Sequence, residues 1–261
     1  MCILFLAIRQ HPRYPLIVLA NRDEYFDRPS TSMDWWQDHK DILAGRDQQS
    51  GGTWLGVNRA GRFCAVTNLR TVPVSKARTS RGELVSRFLR GDDPTTSSYS
   101  SALSRYRDTY NPFNLVFGDA SSIHLHSTLF SESRRLEDGF HSVSNGSPDE
   151  PWPKMSRGLS ELESAIKTSD VLDPSMFIEI MRDTRKPPEK LLPDTGIGDE
   201  RERQLSSIFV AGEHYGTRST SLLKFSDQRI DALELTYTPG QRTTECREFQ
   251  INLLTGMQQT G

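Results

Sequence analysis

Cys2 is the residue that most invites chemistry. Removal of Met1 ahead of so small a side chain would leave a thiol and a free α-amine on one residue. The amine titrates near ~7.7 to 8.0 and the thiol near ~8.5, so close to neutral pH one group can act as base for the other. That is an N-terminal nucleophile arrangement. Taken alone, the position is more simply read as a small apolar residue opening a buried strand.

Asn21-Arg22-Asp23-Glu24 follows directly on the apolar run Leu16 to Ala20, which puts an amide and charges of opposite sign at a strand end. An arginine there can hold a carboxylate in a bidentate fork, and Asp23 can accept from an ammonium or orient a thiol partner. An ordinary surface ion pair would use the same residue types and contribute little. Asn68, closing a hairpin, and Asn145 stand where an oxyanion donor is wanted, although turns select asparagine as well. Arg218, in Tyr215-Gly216-Thr217-Arg218, is a second cation suited to an anionic group.

Other sites are excluded by their missing parts. Gly196-Ile197-Gly198 lacks the third glycine and preceding strand of a dinucleotide turn, and the chain has neither a Gly-Lys step nor an HExxH pattern. His124 and His126 share one face of a strand, but no third ligand lies near them in sequence, and two surface histidines explain the pair.

The elements that must position these residues are legible in part. Cys2 to Ile8 and Leu16 to Ala20 predict a hairpin around His11 to Pro15, and Thr53 to Asn58 with Phe63 to Leu69 predict a second around Arg59-Ala60-Gly61. Ser80 and Glu83 read as a capping box for a helix carrying Leu84, Val85, Phe88 and Leu89 on one face and stopping at Gly91. Thr95 to Tyr110, Met155 to Lys167 and Pro174 to Arg185 are expected helices, the last capped by Asp173. Asn114 to Gly118, Ser122 to Ser127, His141 to Ser144, Ile208 to Ala211, Ser219 to Phe225, Arg229 to Tyr237 and Arg247 to Leu253 are expected strands. Lys186 to Gly198, rich in proline and glycine, reads as a loop or mobile flap. Strands gathered at both ends, with helix pairs between them and no regular alternation, predict an α+β fold.

Composition sets the outer bounds. The 261 residues suit one large core, a single domain spanning 1–261, and 35% hydrophobic with 25% charged residues is the balance of a folded chain. A net charge of −2 excludes the broad basic surface of a nucleic-acid binder. The longest apolar run, Cys2 to Ile8, falls far short of the ~20 residues of a membrane helix, and no basic segment precedes it. A protein without an integral membrane segment, starting unprocessed or nearly so, is expected. Three cysteines, an odd number without CxxC spacing, argue against a disulfide framework or a cysteine zinc site and suit a reducing, cytoplasmic setting.

Together the motifs resemble the NRDE family. The chain opens Met-Cys-Ile, then carries Asn21-Arg22-Asp23-Glu24 with Arg28-Pro29 beyond, Gly51-Gly52-Thr53-Trp54-Leu55-Gly56, Thr67-Asn68 and Arg81-Gly82-Glu83-Leu84. Ser144-Asn145, Pro151-Trp152-Pro153-Lys154, Tyr215-Gly216-Thr217-Arg218-Ser219 and Arg247-Glu248-Phe249 follow. The resemblance implies a four-layer αββα sandwich like that of N-terminal nucleophile hydrolases. More distantly, the opening is similar to choloylglycine hydrolases and penicillin V acylases, in which an N-terminal cysteine attacks an amide. By that pattern Cys2, Arg22, Asp23, Asn68, Asn145 and Arg218 would carry the site. Those hydrolases have Arg-Asn-x-Asp where this chain has Asn-Arg-Asp-Glu, which leaves the arginine and acid assignments open by one position.

The resemblance also implies haem binding and intracellular haem movement, with Arg22 and Arg218 pairing with propionates and haem as cargo, not as a cofactor required for catalysis. Trp35, Trp36 and Trp54 offer apolar area for a flat ring, although core or interface packing explains tryptophans equally well. Cys2, His39, His124 and His214 are all open as axial ligands, so no metal-ligating residue is assigned. The alternatives are Cys2-dependent hydrolysis or acyl transfer on a small amide or acyl substrate, and binding of an acyl-CoA or lipid metabolite.

Overall fold

The computed structural model describes residues 2–70, 79–106, 109–240 and 242–253. Its first hairpin, β1 (Cys2–His11) and β2 (Tyr14–Tyr25), is apolar on both faces. Ile3, Phe5, Ile17 and Leu19 pack one way, and Leu4, Leu6, Val18 and Ala20 the other. Strand residues alternate sides, so a strand apolar on both must be covered twice. The remaining strands are β3 (Ser30–Trp35), β4 (Ile42–Asp47), β5 (Leu55–Asn58), β6 (Phe63–Asn68), β7 (Phe113–Asp119), β8 (Ser122–Ser127), β9 (Arg134–Arg135), β10 (Gly139–Val143), β11 (Tyr215–Phe225), β12 (Arg229–Thr238) and β13 (Arg242–Asn252). The helices are α1 (Gly82–Arg90), α2 (Thr96–Arg105), α3 (Pro153–Thr168), α4 (Pro174–Met181) and α5 (Asp199–Gln204).

Among the described residues one antiparallel sheet runs β10-β1-β2-β11-β12-β13 and a second runs β3 to β9 in chain order. Leu4, Leu6, Val18, Leu223 and Phe225 of the first sheet meet Leu43, Val57, Phe63, Ala65 and Val116 of the second in a shared core. Met155, Leu162 and Phe177 of α3 and α4 cover the outer face of the first sheet, and Leu84, Phe88, Tyr99 and Leu103 of α1 and α2 cover that of the second. The result is an α+β four-layer αββα sandwich, as the family resemblance implied. Helix α3 reaches its sheet because Gly158 has no side chain, since a Cβ there would stand 2.2 Å from the Phe5 ring tip. No helix among the described residues is long and apolar enough to cross a membrane.

Several expectations are corrected. Strand β2 does not stop at Ala20 but continues through Asn21-Arg22-Asp23-Glu24, because these polar groups find partners on both sides of a covered sheet. Strands β3 and β4 have no expected counterpart, and α5, built only of charged residues and glutamine, carries no apolar stripe to announce it. Residues 208–211 are not a strand, although Ile208, Phe209 and Val210 are buried; Phe209 N–H instead donates to the Asp183 carbonyl at 2.8 Å. The capping box at Ser80 does not form. Arg81 is already helical, and Glu83 turns to Arg90 at 2.6 Å. Helix α4 ends at Met181, four residues early, where Asp183 takes Arg157 and Arg185 instead of continuing the turn. Residues 186–198 do form a loop, with one 3-10 turn, tied down by Thr195 N–H donating to Glu202 at 2.9 Å.

Candidate active site

The register of the first sheet builds the site. Cys2 stands opposite Arg22, Arg22 opposite Ser219, and Ser219 opposite Thr236, which makes one row across four strands. Directly opposed residues share a face, here the one turned toward the second sheet. Asp23, one position on, points to the helix layer. There its carboxylate accepts from Thr217 Oγ1 at 2.7 Å, and Tyr215 OH donates to its carbonyl at 3.0 Å. A β-bulge between Thr217 and Ser219 leaves Arg218 without a partner on β2. It also sets Arg218 and Ser219, neighbours in sequence, on the same cleft, the re-aiming that bulges commonly perform.

On the other side of Cys2 the two sheets are stitched together. Ser144 Oγ donates to the Cys2 carbonyl at 3.1 Å, while Thr67 Oγ1 and Asn114 Nδ2 donate to the Ser144 carbonyl at 2.6 and 3.0 Å. Asn145, fully buried, donates through Nδ2 to the Asn68 carbonyl at 2.9 Å, and its own carbonyl accepts from Arg70 N–H at 2.7 Å. One amide donor of Asn145 is thus spent on backbone. The Asn68 side chain makes no hydrogen bond among the described residues, so its amide is the one with donors to offer.

Arg22 is 5% exposed, and its guanidinium carbon lies 4.3 Å from the Trp54 ring centre. Its nearest anion, Asp47, stands 3.8 Å away and is held by Arg28 at 2.6 Å. Arg218 donates to the carbonyls of Tyr25, at 3.1 Å, and Arg28. With Ser30, Ser32, Trp54, Ser219 and Thr236, the two arginines line a cleft of about 30 Å³. Glu234 forms part of its wall, accepting from Met33 N–H at 2.5 Å.

Burial dominates the electrostatics. It pushes the Cys2 thiol up, the Asp23 charge adds to this, and Arg22 opposes it. Burial likewise raises Asp23, against the pull of Lys154 and the Thr217 hydroxyl. Lys154 was not singled out as a site residue in the sequence. It is 1% exposed, donates to the Leu205 carbonyl at 3.0 Å, and is pushed down to about 8 by burial, with Asp23 and Cys2 opposing. A signal for it existed: Pro153-Lys154 opens α3, and a cation in a helix's first turn sits against the helix dipole.

The remaining candidates lie apart from this constellation. Trp36 is buried with its indole N–H on the Ala44 carbonyl, 3.1 Å, and Trp35 stacks under Arg59. His124 bonds Ser122 at 3.0 Å, whereas His126 is buried against Phe113 and is no surface histidine. No cluster of three or more potential metal ligands occurs among the described residues.

Residues 1–239 match the family model described as Transport and Golgi organisation 2. The chain is 31% identical over 243 residues to the Transport and Golgi organization 2 homolog of Mus musculus, covering 85% of this chain and 88% of the mouse protein. It is 28% identical over 268 residues to Transport and Golgi organization protein 2 of Drosophila melanogaster, covering 91% and 93%. Among solved structures it is similar to a mutant conjugated bile acid hydrolase from Clostridium perfringens, with a TM-score of 0.49 at 10% identity over 96% of this chain and 92% of that one.

Proposed function

The chain belongs to the Transport and Golgi organisation 2 family, and on that premise we propose that it is a Cys2-dependent amide hydrolase or acyltransferase acting on a small amide or acyl compound in a reducing compartment. One observation carries this reading: Cys2 is the cross-strand neighbour of a buried arginine, and its carbonyl is held by Ser144, whose neighbour Asn145 binds the Asn68 backbone. A thiol pushed up by burial rests protonated at neutral pH, so attack needs a base, and the α-amine of a processed Cys2 is that base. The amine takes the thiol proton, sulfur bonds to the acyl carbon, and the Asn68 amide donates to the oxyanion. Collapse breaks the C–N bond, and the ammonium returns its proton to the departing amine. Water then cleaves the thioester and restores the thiol, whereas an amine in its place completes acyl transfer.

Intact mass and iodoacetamide labelling test this reading. The expected result is native protein without Met1 and labelled at Cys2, with turnover of small amides abolished in Cys2→Ala. Retained Met1, or turnover unchanged in that variant, overturns it.

A second reading, haem carriage, is favoured by the approach of Arg22 and Arg218 to one cleft, a pairing suited to propionates. The cleft has the size of a carboxylate, so the ring would lie outside it. A saturable Soret shift weakened by Arg218→Ala is the expected signature. Titration without such a shift rejects it, and competition by acyl-CoA would point to a phosphate-bearing ligand.

A further inference from the structure

The cleft beside Cys2 holds an unusual set of unspent donors. Arg22 is almost wholly buried, yet its guanidinium makes no hydrogen bond among the described residues, its contacts being the Trp54 face and the 3.8 Å approach to Asp47. Arg218 keeps a buried Nε–H without a partner, and Ser219, 6% exposed, keeps its hydroxyl without one. Buried polar groups are nearly always paired, and each one left unpaired costs stability. Two such groups, beside an arginine that makes no hydrogen bond among the described residues, line one cleft and mark a place completed by a ligand.

We infer that this cleft is a carboxylate subsite, so that the compound presented to Cys2 carries a carboxylate a short linker away from its acyl carbon. The inference rests on the hydrolase reading for its substrate, but the subsite itself does not depend on turnover. A volume of about 30 Å³ admits a group the size of a carboxylate or one to two waters. A planar guanidinium matches a carboxylate bidentately, and Arg218 Nε–H with Ser219 Oγ can meet the second side of the same group. Glu234 in the wall disfavours a dianion such as phosphate. Adjacent strands lie ~4.8 Å apart, so Arg22 and Ser219 fall about 5 and 10 Å along the row from Cys2. That span sets the linker at a few bonds.

Binding to the full chain carrying Cys2→Ala tests the subsite without turnover, using N-butyryl-β-alanine, its methyl ester and inorganic phosphate in calorimetric titrations. The acid is expected to bind saturably, with the ester at least about tenfold weaker, the scale of a lost charge-assisted pair. Arg218→Gln and Ser219→Ala should each weaken the acid severalfold and leave the ester unchanged. Arg22→Gln should do so more strongly, and the two outer variants keep the test valid should Arg22→Gln fail to fold. No saturable binding of the acid, equal binding of acid and ester, or phosphate displacing the acid at lower concentration would each overturn the carboxylate assignment. Should the acid bind as expected while processed wild-type protein cleaves no amide, the hydrolase reading fails and the subsite stands.

Discussion

Cys2 and Arg22 face each other directly across the β1–β2 hairpin, so the thiol and the guanidinium share one side of the sheet while Asp23 lies on the other. The hairpin alone therefore fixes a cation beside the sulfur and an anion behind it. Any slip of one residue in this register would exchange the two. In this register the arginine in the thiol's row is Arg22, and the carboxylate behind it is Asp23.

The pH dependence of Cys2 alkylation should report this arrangement. With burial and the Asp23 charge raising the thiol, the midpoint for iodoacetamide labelling is expected above that of an ordinary cysteine. Asp23→Asn removes an opposing negative charge and should move the midpoint down; Arg22→Met removes a stabilising positive one and should move it up. Midpoints moving in the reverse directions, followed by mass spectrometry of the Cys2 peptide, would show the two charges assigned to the wrong sides.

The α+β order was legible because the strands read as short apolar runs and the helices between them as single apolar stripes, whereas the four layers entered as what the family resemblance implied. The site was legible only as a set of residue types. Nothing in the spacing of Thr217, Arg218 and Ser219 announces a bulge, since its extra residue is defined only by pairing to β2. Asn21 read as part of a charged motif, yet it knits the helix layer to the sheet, donating to the carbonyls of Met181 and Ile208 at 2.8 and 3.0 Å. Such bonds join residues far apart in sequence, and periodicity carries no information about them. The same applies to Glu202, which reads as one charge among many in α5 but is buried against Arg70 and Thr195.

Asn68 and Asn145, equivalent as sequence, should separate by experiment. Asn145→Ala removes a buried bond that ties β6 to the segment after β10, and it leaves the Asn68 carbonyl short of a donor. A loss of about 1–3 kcal/mol in urea unfolding is expected. Asn68→Ala breaks no side-chain bond among the described residues and should leave stability nearly unchanged while costing ~10² to 10³ in any Cys2-dependent turnover. Equal destabilisation by both would remove the oxyanion role from Asn68 and make it a second clamp.

Glu234 should make stability fall as pH rises through neutrality. Its carboxyl is pushed up to about 7, mainly by burial, while the Met33 N–H, the Ser221 hydroxyl and the Arg22 charge favour ionisation and Glu245 opposes it. A carboxyl whose folded value lies above its unfolded one holds a proton in the fold that the open chain has released. Its stabilising share is therefore complete below about pH 4.5 and lost on the way to pH 7, amounting to up to about 3 kcal/mol. The carboxyl also accepts from the Met33 backbone of β3, so the titrating group is the one that holds this edge strand over the arginine cleft. Glu234→Gln keeps an acceptor for Met33 but cannot ionise. Urea unfolding at pH 5 and pH 7.5 should then show a smaller difference for the variant than for wild type. An unchanged difference would place the titration elsewhere, and a larger one would mean that the ionised carboxylate, paired toward Arg22, is the form the fold prefers.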